Sequence, residues 1–154
     1  MNRPDLKNPV HLLAFGFGSG LAPVAPGTFG TLAAVPPYLL LARLPLAAYL
    51  AVLAGVILAG VWICGRTSRD LGVHDHGGIV WDEFAGFFVT MTAAPQGAFW
   101  VAAGFLLFRL FDILKPWPIG WLDRRVKGGV GIMLDDLLAG LYGWVVLQLA
   151  AAWS

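Results

Sequence analysis

Two pairs of adjacent acids, Asp82-Glu83 and Asp135-Asp136, each stand beside an apolar run in a chain that carries little charge. Four carboxylates gathered in one place repel one another unless a cation sits among them. Donors that are all oxygen favour a hard ion such as Mg²⁺, which keeps several waters and shares its shell with a substrate phosphate. Two cations stand near a further acid: Arg109 and Lys115 bracket Asp112. Arg109 can grip phosphate with a planar fork and Lys115 as a point charge. The competing reading of Arg109 and Asp112, three residues apart, is an ion pair on one helix face. The competing reading of the acid pairs is helix capping, where a first-turn acid contributes about 0.3–1 kcal/mol. Capping accounts for one acid per helix and poorly for two side by side.

Other chemistry-bearing residues point less sharply. His74 and His76 flank Asp75, but zinc would need further ligands that the neighbourhood lacks, so they read as polar loop residues. Cys64, the single cysteine, lies inside an apolar run and reads as inert packing. Residues 16–30 are dense in Gly and Pro and could cradle phosphate through backbone N–H groups or simply turn. The pattern GxxxxGK[ST] is absent, which removes the usual nucleotide-phosphate loop.

The elements that must hold these groups are helical and lipid-facing. Of 154 residues, 58% are hydrophobic and 12% charged, against roughly 45–50% and 25% in soluble proteins. The excess apolar surface needs lipid. A net charge of +1 gives no reason to expect a nucleic-acid partner. Residues 1–9 are polar and show no signal-peptide core. The expected fold is an all-α, polytopic membrane protein forming one domain over 1–154, with about four to five membrane helices, some short or re-entrant.

Residues 46–64 form the best span: nineteen residues without charge, roughly 28 Å as a helix against about 30 Å of hydrocarbon. Residues 132–153 form a second, with Asp135 and Asp136 in its first turn. Residues 29–42 read as a short segment kinked at Pro36-Pro37, preceded by Thr28 as a possible cap. Residues 65–81 read as a polar loop, 84–94 as a short or re-entrant helix, 97–111 as a further span, and 119–127 as a basic interfacial stretch. With the N-terminus inside and five passes, Arg3, Lys7, Arg66, Arg69, Lys115, Arg124, Arg125 and Lys127 fall on the cytoplasmic side and Arg43 alone outside. Trp62, Trp81, Trp117 and Trp121 then mark the inner interface, and Trp100 and Trp153 the outer one, leaving Trp144 for packing. Residues 79–86 and 132–140 resemble each other as a degenerate repeat. Both would run outward in parallel, with Gly86, Gly140 and Gly143 letting the backbones approach.

Three blocks carry a family resemblance: GFGSGLAPVAPGTFGTLAAVP from Gly16, DHGGIVWDEFAGF from Asp75 and FRLFDILKPWPIGWLDRRVKGGVGIMLDDLLAG from Phe108. Together they resemble the signature of the phosphatidylglycerophosphatase A family over most of the chain. The resemblance implies a Mg²⁺-dependent phosphatase in a bacterial inner membrane. It would convert phosphatidylglycerophosphate to phosphatidylglycerol, the last step in making that lipid. Asp82, Glu83, Asp135 and Asp136 would hold one or two Mg²⁺ ions, with Asp112 able to join them. Arg109 and Lys115 would stabilise phosphoryl charge. Both a water nucleophile and an aspartyl-phosphate stay open. The non-enzyme alternative is an ion-coupled transporter using the acid pairs as a cation site, which would place the acids near mid-membrane.

Overall fold

The computed structural model describes residues 3–154; Met1 and Asn2, the start of the polar N-terminal segment, lie outside them. The described residues form helices joined by short loops, with no strand among them. Seven α-helices follow in order: α1 (Pro9–Ala14), α2 (Pro26–Leu41), α3 (Leu46–Leu71), α4 (Trp81–Thr90), α5 (Ala98–Leu114), α6 (Ile119–Arg125) and α7 (Gly128–Ala152). A 3-10 turn, Gly16–Leu21, separates α1 from α2.

Several boundaries differ from those expected, each for a local reason. The helix expected from residue 29 begins at Pro26, because proline at the first helical position loses no hydrogen bond and has its φ preset. Thr28 therefore lies inside α2, and the residue before the helix is Ala25, which carries no side-chain cap. α2 also continues through Pro36-Pro37. The expected span at 46–64 runs on to Leu71, so the first seven residues of the supposed polar loop are helix. Arg66 pairs with Asp70 one turn on at 3.0 Å, and Gly72, at φ 69°, closes the helix in the left-handed conformation. α7 begins at Gly128, not near residue 132, so Asp135 and Asp136 are two turns inside it and not in its first turn.

α4 is the centre of the molecule. Its ten residues are too few to cross a membrane, and eight of them are buried. Phe84, Phe87, Phe88 and Met91 fill the space between Tyr38 of α2, Tyr49 and Leu53 of α3, Phe108 of α5 and Leu147 of α7. α4 and α7 run parallel in contact: Gly86 meets Asp136 and Gly140, Thr90 meets Gly143, and further on the Trp144 and Gln148 side chains reach the Thr92 carbonyl. The approach depends on missing side chains. A Cβ on Gly86 would lie 2.5 Å from the Phe108 ring and 2.7 Å from the Asp136 carbonyl oxygen. Small residues of this kind let helices pack where the hydrophobic effect between them is weak.

A second cluster, with Phe15, Ile63, Cys64, Leu71, Ile79, Ile132 and Met133, ties the N-terminal segment to α3 and α7. Cys64 is fully buried against Met133. The outer surface is apolar, with Leu58, Phe99, Leu106 and Trp153 among many large exposed hydrophobics. Two helices, α3 and α7, are long and apolar enough to cross a membrane. Only 22% of the apolar stretch of α3 is buried, unlike the core helix of a soluble protein, so its free face calls for lipid.

Candidate active site

The parallel packing of α4 on α7 sets the Asp82-Glu83 turn beside the Asp135-Asp136 turn. α5 adds Asp112 and Arg109 from its last turns, and Lys115 from its C-cap. All seven residues expected to do chemistry are thus brought into one cluster. They do not form the single group of four carboxylates that was expected. Oxygens of Asp82, Glu83 and Asp136 lie within 4.8 Å of one another, and so do oxygens of Asp112, Asp135 and Asp136. The two triads share Asp136, and Asp112 is a full member of the second.

Every one of these acids is buried, from 2% exposed at Asp136 to 9% at Asp112. The cations beside them are two. Arg109 pairs with Asp112 one turn on, so the ion pair that was the competing reading of these two residues does form. Lys115 crosses to α7 and donates to Asp135 at 2.7 Å, with Asp123 of α6 at 3.5 Å. Partial burial works against the Lys115 charge, but the hydrogen bond and charge of Asp135, with Asp123 and Asp136 behind it, hold the ammonium well above its usual range. Lys115 adopts a left-handed backbone, φ 46° and ψ 58°, which is strained for any residue but glycine. The lysine there delivers its ammonium to α7.

Five carboxylates against two cations leave three negative charges in excess if all are ionised. An uncompensated buried charge costs several kcal/mol. The polar atoms left without partners show where compensation is missing: Glu83 Oε2, Asp135 Oδ1 and Asp136 Oδ2, together with Arg109 Nε. Orphaned carboxylate oxygens from both triads are what a hard divalent cation would bind. Capping does not explain them. Asp135 and Asp136 are far from the start of α7, and in α4 the single local bond is from the Glu83 N–H to Asp82 Oδ1 at 3.1 Å.

The α2 N-terminus also belongs to this site, which the sequence did not reveal. A Cβ on Gly27 would lie 2.7 Å from Glu83 Oε1 and 3.0 Å from Arg109 Nη1. The missing side chain lets the first turn of α2 lie directly against Glu83 and Arg109. The signal was present as the Pro26-Gly27 step in the Gly- and Pro-dense stretch, which read equally well as a turn. Gly27→Ala is expected to push Glu83 and Arg109 apart and lower turnover by about a hundredfold, as small misplacements at a reacting centre do. Thermal melting should change little. An unchanged turnover would remove Gly27 from the site. Asp75, on the loop before α4, stands within electrostatic reach of Lys115, Asp112 and Asp82 and completes the acidic rim. His76 instead accepts from the Gly78 N–H at 2.9 Å, in keeping with a loop-forming residue. Trp144 donates its indole N–H to the Thr92 carbonyl, the packing role expected of it.

A helical chain with an apolar outer surface, two buried carboxylate triads and two adjoining cations defines a class: helical proteins with a buried acidic site suited to a divalent ion and a phosphate group. The comparisons narrow it. The family profile of phosphatidylglycerophosphatase A matches residues 12–151. The chain is similar to phosphatidylglycerophosphatase A of Escherichia coli, 54% identical over 91% of this chain and 82% of that protein. It is similar to phosphatidylglycerophosphatase A of Haemophilus influenzae, 46% identical over 99% of this chain and 95% of the relative. A Bacteroides thetaiotaomicron protein provisionally named a phosphatidylinositol-3-phosphatase is 39% identical over 97% of both chains. No solved structure matches. The chain belongs to the phosphatidylglycerophosphatase A family and is an enzyme of that family.

Proposed function

We propose that the protein hydrolyses the phosphomonoester of phosphatidylglycerophosphate, releasing phosphate and phosphatidylglycerol, with Mg²⁺ held by the two triads. The observation that carries this is the pair of buried triads sharing Asp136, with their unpartnered oxygens facing a site bordered by Arg109 and Lys115. Asp82, Glu83 and Asp136 would hold one ion, and Asp112, Asp135 and Asp136 a second. Such an ion supplies positive charge to phosphoryl oxygens and lowers the pKa of a coordinated water. Arg109, whose Nε has no partner, is free to donate to a phosphoryl oxygen while its Nη1 stays on Asp112. Lys115 fixes the Asp135 carboxylate and adds a second positive charge where phosphate charge must be stabilised. The test is phosphate release by purified protein from phosphatidylglycerophosphate and from phosphatidylinositol-3-phosphate, each with Mg²⁺ and with chelator. The proposal expects preference for the first substrate and loss of activity on chelation. A preference for the inositol lipid would overturn the substrate, and chelator-resistant turnover would overturn the ion.

The site would face the cytoplasm of a bacterial inner membrane, with α2, α3, α5 and α7 crossing and α4 reaching halfway. The uncharged stretch of α3 ends at Cys64, which packs on Met133, two residues before Asp135. That supports a site at the edge of the hydrocarbon rather than its middle, where a transporter would need it. Arg66 and Arg69 follow on α3, and Arg124, Arg125 and Lys127 lie near the start of α7, on the same side. Ser68 is buried and hydrogen-bonded to the Val73 and His74 carbonyls, so it is a poor probe. Exposed Gly77 and Lys127 serve better. In a Cys64→Ala background, Gly77→Cys and Lys127→Cys should resist an impermeant thiol reagent in intact cells, while Gln96→Cys should react. Labelling of the first two from outside would reverse the orientation.

A further inference from the structure

Between α2 and α5 runs an apolar groove of about 730 Å³. Leu32, Val35 and Leu39 form one wall, and Val101, Ala102 and Phe105 the other. Leu32 and Leu39 are about half exposed. The groove begins one helical turn from the site: Phe105 is four residues before Arg109, and Leu32 is five after Gly27. At the site end the Arg109 side chain spans the interval and its guanidinium meets Gly27. From there the groove extends to Ala42 and Ala98 at the opposite end, where Arg43 and Gln96 border its mouth. From Leu32 to Ala42 it is about 15 Å long, from ten residues at 1.5 Å each.

We propose that this groove holds one acyl chain of the substrate lipid, aligned so that the phosphate at its head arrives at the Arg109 guanidinium, beside the first turn of α2. The inference rests on the lipid-phosphate reading of the site. An occupant of both places must be apolar along the groove and carry an anion at one end, one turn from a guanidinium. A phospholipid monoester meets both demands. A helix from a second copy would meet only the first. The groove also explains why α2, with its exposed apolar face, begins at the acidic cluster: its face guides the chain toward the Arg109 guanidinium.

The test uses the full chain in detergent. Ala102→Trp and Val35→Trp narrow the groove, and Leu58→Trp, on the exposed face of α3, serves as control. Hydrolysis is measured with dioleoyl phosphatidylglycerophosphate and with its short-chain dibutyryl counterpart. Both groove variants should raise KM for the long-chain substrate by about tenfold, the equivalent of about two methylenes left unburied. The short-chain values should not move. An equal change on both substrates, or none on the long-chain one, would overturn the proposal. So would a tryptophan that alters the oligomeric state and leaves the long-chain KM alone, which would assign the groove to a second copy. A dioleoyl probe bearing a photoreactive diazirine in one chain gives a readout free of activity. It should label residues 32–42 and 98–105. Labelling elsewhere would overturn the groove, whereas groove labelling without turnover on either substrate would instead sink the phosphatase reading.

Discussion

Asp136→Asn is expected to lower phosphate release by about a thousandfold while the protein folds at least as well as before. Asp136 belongs to both triads, so its loss strikes both proposed ion positions at once. Asparagine keeps the volume and one oxygen but not the negative charge that holds a divalent ion. Asp82→Asn and Asp112→Asn each touch one triad and should cost less. Combining Asp82→Asn with Asp136→Asn should cost little more than the second alone, because members of one unit are not additive. The sign of the stability change separates an ion site from a structural one. Without divalent ions, Asp136 is 2% exposed, with one oxygen unpartnered among like charges. Removing its charge relieves that repulsion, so the variant should melt higher than the unaltered chain in chelator. Added Mg²⁺ should reverse the order, since a ligand at a hundred times its Kd stabilises by about 2.7 kcal/mol. A variant that melts lower in chelator would mark Asp136 as a structural group.

Arg109→Lys is the second large effect, with turnover expected to fall by about a hundredfold or more, on the scale of losing one charge-stabilising donor. Lysine keeps the charge and can still pair with Asp112. It cannot also set a planar fork against Gly27 and offer a free Nε to phosphate. Folding should be spared, because the buried charge balance is unchanged. Lys115→Ala is a less clean experiment: it would strip Asp135 of its partner and add a stability loss to any loss of rate. Unchanged turnover in Arg109→Lys, measured by steady-state phosphate release, would reduce Arg109 to a partner of Asp112.

Much of this arrangement is legible in the sequence, and the illegible parts share a cause. The acid pairs and the cations stand out because charges are rare in an apolar chain, and Gly86 and Gly140 because each follows an acid pair by about one turn. The parallel course of the two acid-bearing helices follows from counting passes. The starts of helices were harder to read. Residues 128–131 are mostly glycine, which signals a loop by propensity, yet they form the first turn of α7 against Val61 and Gly65 of α3. Tertiary contact overrides the weak local preference. In α3, polar residues after Cys64 suggested a loop, but the Arg66–Asp70 pair and the buried Thr67 and Ser68 keep the helix intact to Leu71. The division of the acids into two triads could not be read, since it depends on where the last turn of α5 meets α7. The same holds for Gly27, whose importance lies in what would collide with a side chain it lacks.

If the carboxylates act together as a divalent-ion site, ion binding reports it without reference to substrate. Purified protein, stripped with chelator and titrated with Mn²⁺ as a paramagnetic stand-in for Mg²⁺, should take up the ion tightly, and Mg²⁺ should compete it off. Asp136→Asn should lose that uptake while keeping its helical content. Equal Mn²⁺ uptake by the two proteins would contradict the account.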